Sequence, residues 1–169
     1  MRKLFVLLGA LAAGCAAHVD RYHDMAGPGE FDRTFIARAA ESSAAQVQFG
    51  QLAQERGESY TVRKYGRQIV DDQTRISAQL TQLARVKGIP LPDGVGHDGQ
   101  AAYTDLSKHT AADFDHVYVK SMIETNVKDV AEYTEAAEKA RDKDIRRFAS
   151  QSLPTLQDHL RNARELDQK

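Results

Sequence analysis

Apolar residues recur at intervals of three and four along most of the chain. This spacing places them on one face of a helix and divides the chain into four segments. The segments cover residues 31 to about 56, 59 to about 86, 113 to about 141, and 142 or 144 to the C-terminus. At 1.5 Å per residue each helix would be about 38 Å long, with one apolar face to cover. The pattern therefore predicts four helices that pack into a bundle.

The connections predict how these helices are joined. About two residues separate helix 1 from helix 2, and helix 3 from helix 4, which is typical of antiparallel helical hairpins. Between the hairpins we expect a long loop, with one helical turn at residues 103–108; its turn-forming residues are Pro90, Pro92, Gly94, Gly96 and Gly99. The fold class is thus all-α, a ferritin-like antiparallel four-helix bundle with a long crossover between helices 2 and 3.

Pro154 lies inside the fourth segment. A proline there removes one backbone hydrogen bond and bends the helix. Because the apolar stripe continues beyond it through Leu156, Leu160 and Ala163, we predict that the helix runs through Pro154 with a kink.

The first residues have the pattern of a secretory signal. Arg2 and Lys3 precede an apolar run that is too short to cross a membrane as a helix. The run ends in Leu-Ala-Ala-Gly-Cys at Cys15, which resembles the lipobox of bacterial lipoproteins, although Ala12 stands where that motif usually has leucine. We expect residues 1–14 to be a signal peptide, 15–29 a lipidated flexible tether and 30–167 the bundle. Plain cleavage after Ala-x-Ala at residues 10–12 is the alternative.

Composition and charge exclude several classes of function. The chain carries 23 Lys+Arg against 24 Asp+Glu and has no basic run, which argues against a nucleic-acid partner. Its one cysteine cannot form an internal disulfide. We find no Gly-rich phosphate loop and no catalytic serine motif. We therefore expect no cofactor and no enzymatic activity.

Several motifs resemble those of a bacterial domain-of-unknown-function family, whose members are secreted ferritin-like helical proteins often labelled outer membrane proteins. The resemblance covers residues 30–166 and rests on Phe31-Asp32, residues 46–53 (QVQFGQLA), residues 69–73 (IVDDQ), Phe114-Asp115 with Tyr118 and Met122, and residues 153–156 (LPTL) with His159-Leu160. It implies the bundle fold and export from the cytoplasm. With Ala16 after the cysteine, resemblance to lipoprotein sorting patterns implies a periplasmic protein anchored to the outer membrane.

The same resemblance implies a metal centre that this chain has lost. The family typically has Glu at the position of Gln46 and His at those of Gln73, Asn126 and His159. An amide oxygen is a poor ligand for a transition metal, and the Glu-x-x-His signature of di-iron bundles is absent from the sequence. We interpret Gln46, Gln73, Asn126 and His159 as a hydrogen-bonded polar layer in the core that fixes helix register. A residual metal site around His159 is the alternative.

Other candidate residues have simpler explanations. Asp113 and His116 have a spacing that a metal could use. We expect instead that Asp113 is an acidic residue at the start of a helix and that His116 faces the solvent. His18 and His23 lie in the tether. The charged residues of helix 3 indicate a solvated face; they are Glu132, Glu135, Glu138, Lys139 and Arg141.

Three functions remain open from the sequence. The first is a non-enzymatic, lipid-anchored bundle of the periplasm that acts through its surface in envelope maintenance or stress, with a degenerate metal centre. The second is a metal-binding or oxidoreductive protein that uses a site around His159. The third is a carrier of a small ligand held between the helices.

Overall fold

The computed structural model describes residues 27–168, so the predicted signal peptide, Cys15 and most of the predicted tether lie outside the described residues. Five helices and no strand occur within residues 27–168; the helices are α1 (Glu30–Arg56), α2 (Tyr60–Lys87), α3 (Gly96–Leu106), α4 (Ala111–Lys139) and α5 (Lys143–Asp167). None of them is long and apolar enough to cross a membrane, over the same residues. The prediction of an all-helical bundle is confirmed, and the four long helices begin and end close to the predicted residues.

The helix α3 corrects the prediction of a loop between the two hairpins. Gly94 and Gly96 have positive φ angles of 82° and 69° and form the expected turn, but the chain then stays helical to Leu106. Gly99 lies within this helix, where an added Cβ would be 2.9 Å from the Cβ of Ala45 in α1. This glycine allows a short helix to lie close against α1, which propensity alone does not reveal.

The helix α5 continues through Pro154, as predicted. The side chain of Pro154 is exposed, whereas Ser152 and Leu156 on either side are buried. The apolar face of the helix is therefore uninterrupted where it meets the core.

The four long helices pass through two hydrophobic clusters. In the part of the chain that the structure describes, α1 packs mainly on α2 and α4 mainly on α5, with further contacts of α1 with α4 and of α2 with α5. The first cluster includes Phe35, Ile36, Ile76, Leu80, Tyr133, Phe148 and Leu156. The second cluster includes Phe49, Tyr65, Ile69, Phe114, Tyr118 and Met122. Each long helix contributes to both clusters, one near each end of the bundle.

The two hairpins are related by a repeat of 83 residues, the separation of Gln46 from Asp129. Ser59 and Asp142 are the N-cap residues of α2 and α5, with similar backbone angles. Arg63 donates to the two carbonyls before Ser59, and Arg146 donates to the two equivalent carbonyls before Asp142. The second hairpin thus repeats the backbone design of the first.

Phe-Asp pairs mark the start of each half. Asp32, near the start of α1, accepts hydrogen bonds from the backbone amides of Arg141 and Asp142. Asp115, near the start of α4, accepts them from the amides of Glu58 and Ser59. Each aspartate therefore ties the first helix of its own hairpin to the connection inside the other hairpin.

Candidate functional site

A belt of buried polar residues lies between the two hydrophobic clusters. We call Ser43, Gln46, Gln73, Asn126, Asp129 and His159 the polar belt. All six are at most 5% exposed, and every long helix contributes at least one of them. On each helix the sequence runs from one cluster through the belt to the other. The belt therefore crosses the middle of the bundle.

Gln46 and Asp129 join α1 to α4 at equivalent positions of the repeat. The Nε2 atom of Gln46 donates to Oδ2 of Asp129 at 2.5 Å, and the Ser42 hydroxyl donates to Oδ1 at 2.8 Å. Burial raises the pKa of Asp129 to about 6, although both hydrogen bonds favour its charged form. This carboxyl group therefore titrates well above the ordinary range of an aspartate.

The two other amides of the belt bond to residues of neighbouring helices. The Ser43 hydroxyl lies 2.9 Å from Oε1 of Gln73 and joins α1 to α2. The Nδ2 atom of Asn126 donates to the carbonyl of Met122 and, at 3.4 Å, to the hydroxyl of Tyr65. That hydroxyl donates in turn to the backbone carbonyl of His159 at 3.0 Å. Hydrogen bonds thus connect α2, α4 and α5 at the level of the belt.

His159 is oriented by a carboxylate. Its Nε2 atom lies 2.9 Å from Oδ2 of Asp72, and Arg75 contacts the other oxygen of Asp72 at 2.7 Å. Burial lowers the pKa of His159, although Asp72 opposes the shift. Burial alone would raise the pKa of Asp72, but hydrogen bonds from His159 and Arg75 hold it below its ordinary value. A neutral imidazole that donates from Nε2 has its lone pair on Nδ1.

The four residues proposed from the sequence are all buried, but no hydrogen bond joins any two of them. Gln46, Gln73, Asn126 and His159 have exposures of 0%, 2%, 0% and 0%. Their partners are Asp129, Ser43, Tyr65 and Asp72, each on a neighbouring helix. Each of the four side chains is thus hydrogen-bonded to a residue outside the set.

The sequence does not single out two residues of the belt, Asp129 and Ser43, or their neighbours Asp72 and Tyr65, which bond to His159 and Asn126. Asp129 and Asp72 lie on predicted helices without interrupting the apolar stripe, so neither is visible in a hydropathy pattern. A signal was nevertheless present for Asp129, because the two Phe-Asp pairs define the repeat that aligns it with Gln46. Tyr65 and Ser43 carry no comparable signal.

The remaining candidates are on the surface. Asp113 and His116 are both exposed, and Asp113 contacts His109 at 2.5 Å. Among the charged residues of α4, Glu132 contacts Arg38 at 3.5 Å, and Lys139 contacts Glu135 at 3.0 Å. His18 and His23 lie outside the described residues. These observations agree with a solvated face and bring none of these side chains into the belt.

Two of the clefts on the described part of the molecule adjoin its helix ends and its helix pairs. One, of about 470 Å³, lies at an end of the bundle and is lined by residues that include Glu58, Asp115, His116 and Asp167. The other, of about 610 Å³, is a shallow and mainly apolar groove between α2 and α5, next to Leu83, Val86 and Phe148. Within residues 27–168 no group of three or more His, Cys, Asp or Glu side chains is placed to hold a metal ion.

Two solved structures have a similar fold. The crystal structure of a DUF305 fragment from Deinococcus radiodurans matches with a TM-score of 0.75 and 16% identity, over 85% of this chain and 100% of that one. A structure described as CopM in the Cu(II)-bound form matches with a TM-score of 0.67 and 20% identity, over 81% and 95%. At such identities the likeness shows the fold.

The family can be identified from the sequence of the domain. A comparison with curated proteins gives no match. The family described as "Domain of unknown function (DUF4142)" matches residues 21–166, which include all five helices except the last residue of α5. The chain therefore belongs to the DUF4142 family.

Proposed function

We propose that this chain is a non-enzymatic, ferritin-like bundle protein of the periplasm, anchored to the outer membrane through a lipid on Cys15, and that its polar belt is a degenerate metal centre. The observation that carries this proposal is the use of the belt side chains. One polar atom of each side chain is already hydrogen-bonded to another helix, in Gln46, Gln73, Asn126 and His159. Such bonds fix helix register, and the protein would act through its surface.

The chemistry of the belt supports this role over metal binding. Three of the four family positions carry neutral amides, which lack the charge and basicity that divalent transition metals require of their ligands. The carboxylate of Asp129 already accepts two hydrogen bonds, and Asp72 is held by His159 and Arg75. A metal ion would have to break these contacts to recruit either side chain.

Calorimetry with Fe(II), Mn(II), Zn(II) and Cu(II) tests the degenerate centre. The unmodified chain should bind these ions no better than a His159→Ala variant. The triple variant Gln46→Glu, Gln73→His and Asn126→His restores the family pattern and should bind one ion. Its new carboxylate would face Asp129, so metal should also raise its melting temperature by relieving the repulsion.

A matched control introduces the same new residues, one Glu and two His, at exposed positions, namely Gln51→Glu, Gln79→His and Gln151→His. It should not gain the tight site. Tight stoichiometric binding by the unmodified chain would overturn the degenerate-centre proposal. Failure of the triple variant alone would mean that the four positions do not converge on one ion.

Cell fractionation tests the location. Cys15→Ser should move the protein from the outer membrane to the soluble periplasm, because several acyl chains are needed for stable anchoring. Ala17→Ser, which keeps both Cys15 and the residue that follows it, is the control and should stay on the membrane. An unmodified chain that is already soluble would contradict the lipid anchor.

One observation favours a second candidate, a copper or related metal site at His159. The Asp72–His159 pair, at 2.9 Å, is the arrangement by which a carboxylate orients a metal-binding imidazole, and Nδ1 of His159 has no hydrogen-bond partner among residues 27–168. The similarity to a structure described as Cu(II)-bound points the same way. An electron paramagnetic resonance signal from Cu(II) with nitrogen coupling, lost in His159→Ala, would support it.

A further inference from the structure

Within residues 27–168, five polar atoms of the core have no hydrogen-bond partner. They are Oε1 of Gln46, Nε2 of Gln73, the hydroxyl of Tyr118, Oδ1 of Asn126 and Nδ1 of His159. The exposure of these five residues does not exceed 2%. Buried polar atoms are nearly always hydrogen-bonded, because a missing bond costs the full desolvation of the group. Five such losses together would cancel much of the net stability of a domain of this size.

Four of these atoms belong to residues of the polar belt. Each of these side chains has two polar atoms, and the other one already makes a hydrogen bond within the protein. Gln46 is held by Asp129, Gln73 by Ser43 and Asn126 by the carbonyl of Met122. The side chains therefore cannot rotate towards another protein atom without losing a bond they already make. Tyr118 lies on α4 two turns before Asn126, and its ring packs against that of Tyr65, with centroids 6.1 Å apart.

The donors and acceptors among the five atoms identify the kind of ligand. The amide oxygens of Gln46 and Asn126 and Nδ1 of His159 are acceptors, whereas the Nε2 group of Gln73 is a donor. The Tyr118 hydroxyl can be either. A metal ion takes lone pairs and is repelled by an amide N–H, and an anion needs donors. Water is both donor and acceptor and suits the mixed set.

We propose that the polar belt is a binding site for a small group of ordered water molecules, which bond to Gln46, Gln73, Asn126, His159 and the hydroxyl of Tyr118. Proteins hold on the order of one buried water per 27 residues, each with two to four polar partners, so such a group is of ordinary size for this chain. These waters complete the hydrogen bonds between α1, α2, α4 and α5. The site does not depend on whether the protein is an enzyme.

The direction of one stability change tests the site. If water bonds to the Tyr118 hydroxyl, Tyr118→Phe removes one hydrogen-bond partner of that buried water. The melting temperature should then fall by about 2 to 5 °C. If the hydroxyl has no partner, removing it should raise the melting temperature instead. Tyr133→Phe is the control, because Tyr133 is a buried tyrosine of the first cluster and lies outside the belt.

Two direct measurements complete the test on the full chain. Magnetic relaxation dispersion of water oxygen counts long-lived internal waters, and Tyr118→Phe should lose at least one relative to the unmodified chain and to Tyr133→Phe. A high-resolution crystal structure grown without chelator should show the waters at 2.7–3.2 Å from the five atoms. A rise in melting temperature with an unchanged water count would overturn the proposal, as would a metal ion at about 2.0–2.3 Å from His159.

Discussion

The two ends of the bundle use the same sequence device but bury it differently. At the first end Asp32 is fully buried and accepts three backbone amides, from Gly29, Arg141 and Asp142, at 3.1, 2.9 and 3.1 Å. At the second end Asp115 is only half-buried and accepts two, from Glu58 and Ser59, at 3.0 and 2.8 Å. The same interaction, an aspartate that accepts backbone amides, is therefore buried at the first end and half-exposed at the second.

The neighbouring phenylalanines show the opposite order. Phe31, before Asp32, is 39% exposed, whereas Phe114, before Asp115, is fully buried and stacks on Tyr118 with ring centroids 5.7 Å apart. The crossover explains part of this difference, because α3 leads into the second end and contributes Leu106 to the cluster around Phe114. A repeat thus fixes where the helices begin, and the inserted segments decide which side chains become core.

The largest expected effect compares these two phenylalanines. Phe114→Ala should cost about 4 kcal/mol of unfolding free energy, because it removes a fully buried ring and leaves a cavity. Phe31→Ala should cost less than about 1 kcal/mol, because water already reaches this ring. Urea unfolding of both variants measures the difference. Similar losses would show that the ends are equally packed in solution.

The aspartates come next. Asp32→Ala should cost about 3 kcal/mol, because it removes a fully buried carboxylate and leaves the part-buried amides of Arg141 and Asp142 without their acceptor. Asp115→Ala should cost about 1 kcal/mol, because water can replace a half-buried carboxylate. The same denaturation experiment applies, and a larger loss at Asp115 would reverse the comparison of the two ends.

The belt provides a comparison between repeat counterparts, neutral Gln46 and ionisable Asp129. The pKa of Asp129, about 6, lies above the ordinary 3.8, so the folded state binds this proton more tightly than the unfolded state does. Its contribution to stability is complete below about pH 4 and is lost as the pH rises through 6, by about 3 kcal/mol.

The Asp129→Asn variant isolates this effect. Asp72 and Asp142 have lowered pKa values and act in the opposite direction, so the quantity to measure is the difference between variant and unmodified chain. Relative to the unmodified chain, the variant should gain stability steadily from pH 4 to 7. Asp71→Asn, at an exposed carboxylate of α2, is the control for the loss of one carboxylate. A difference that stays constant with pH would remove Asp129 as the titrating group.

The sequence was sufficient to predict the helices because each long segment keeps one apolar face through both clusters. It was insufficient at Gly99, where a glycine that suggests a turn in fact allows α3 to lie against Ala45. The distinction depends on a neighbour far away in the sequence, so local propensity cannot make it.

The sequence predicted only part of the site, again because some contacts join residues that are far apart in the chain. Gln46, Gln73, Asn126 and His159 stand out as polar residues on apolar stripes, and all four are buried. Their partners do not stand out, because a hydrogen bond such as that of Asp72 to His159 spans 87 residues and depends on helix register. Only the three-dimensional packing shows which polar end of each amide is already used.

The smallest expected effect concerns where the two helices of each hairpin cross. A Cβ added at Gly66 would lie 2.7 Å from the carbonyl oxygen of Gly50 and 2.8 Å from the Cβ of Ala53, so α1 and α2 meet backbone to backbone. The counterparts in the second hairpin are Tyr133 and Ala149, where side chains already occupy the crossing.

Gly66→Ala should therefore have two opposite effects on the free energy of unfolding. In an exposed helix this change would gain about 1 kcal/mol from propensity, but overpacking against a backbone oxygen costs about 3 kcal/mol, so a net loss of about 2 kcal/mol is expected. Ala149→Gly should lose about 2 kcal/mol, about 1 from helix propensity and about 1 from the buried methyl group that it removes. Chemical denaturation of both variants decides between these expectations. If Gly66→Ala stabilises the protein, the first hairpin has room for a side chain at its crossing, and the two hairpins do not differ in how closely their helices approach.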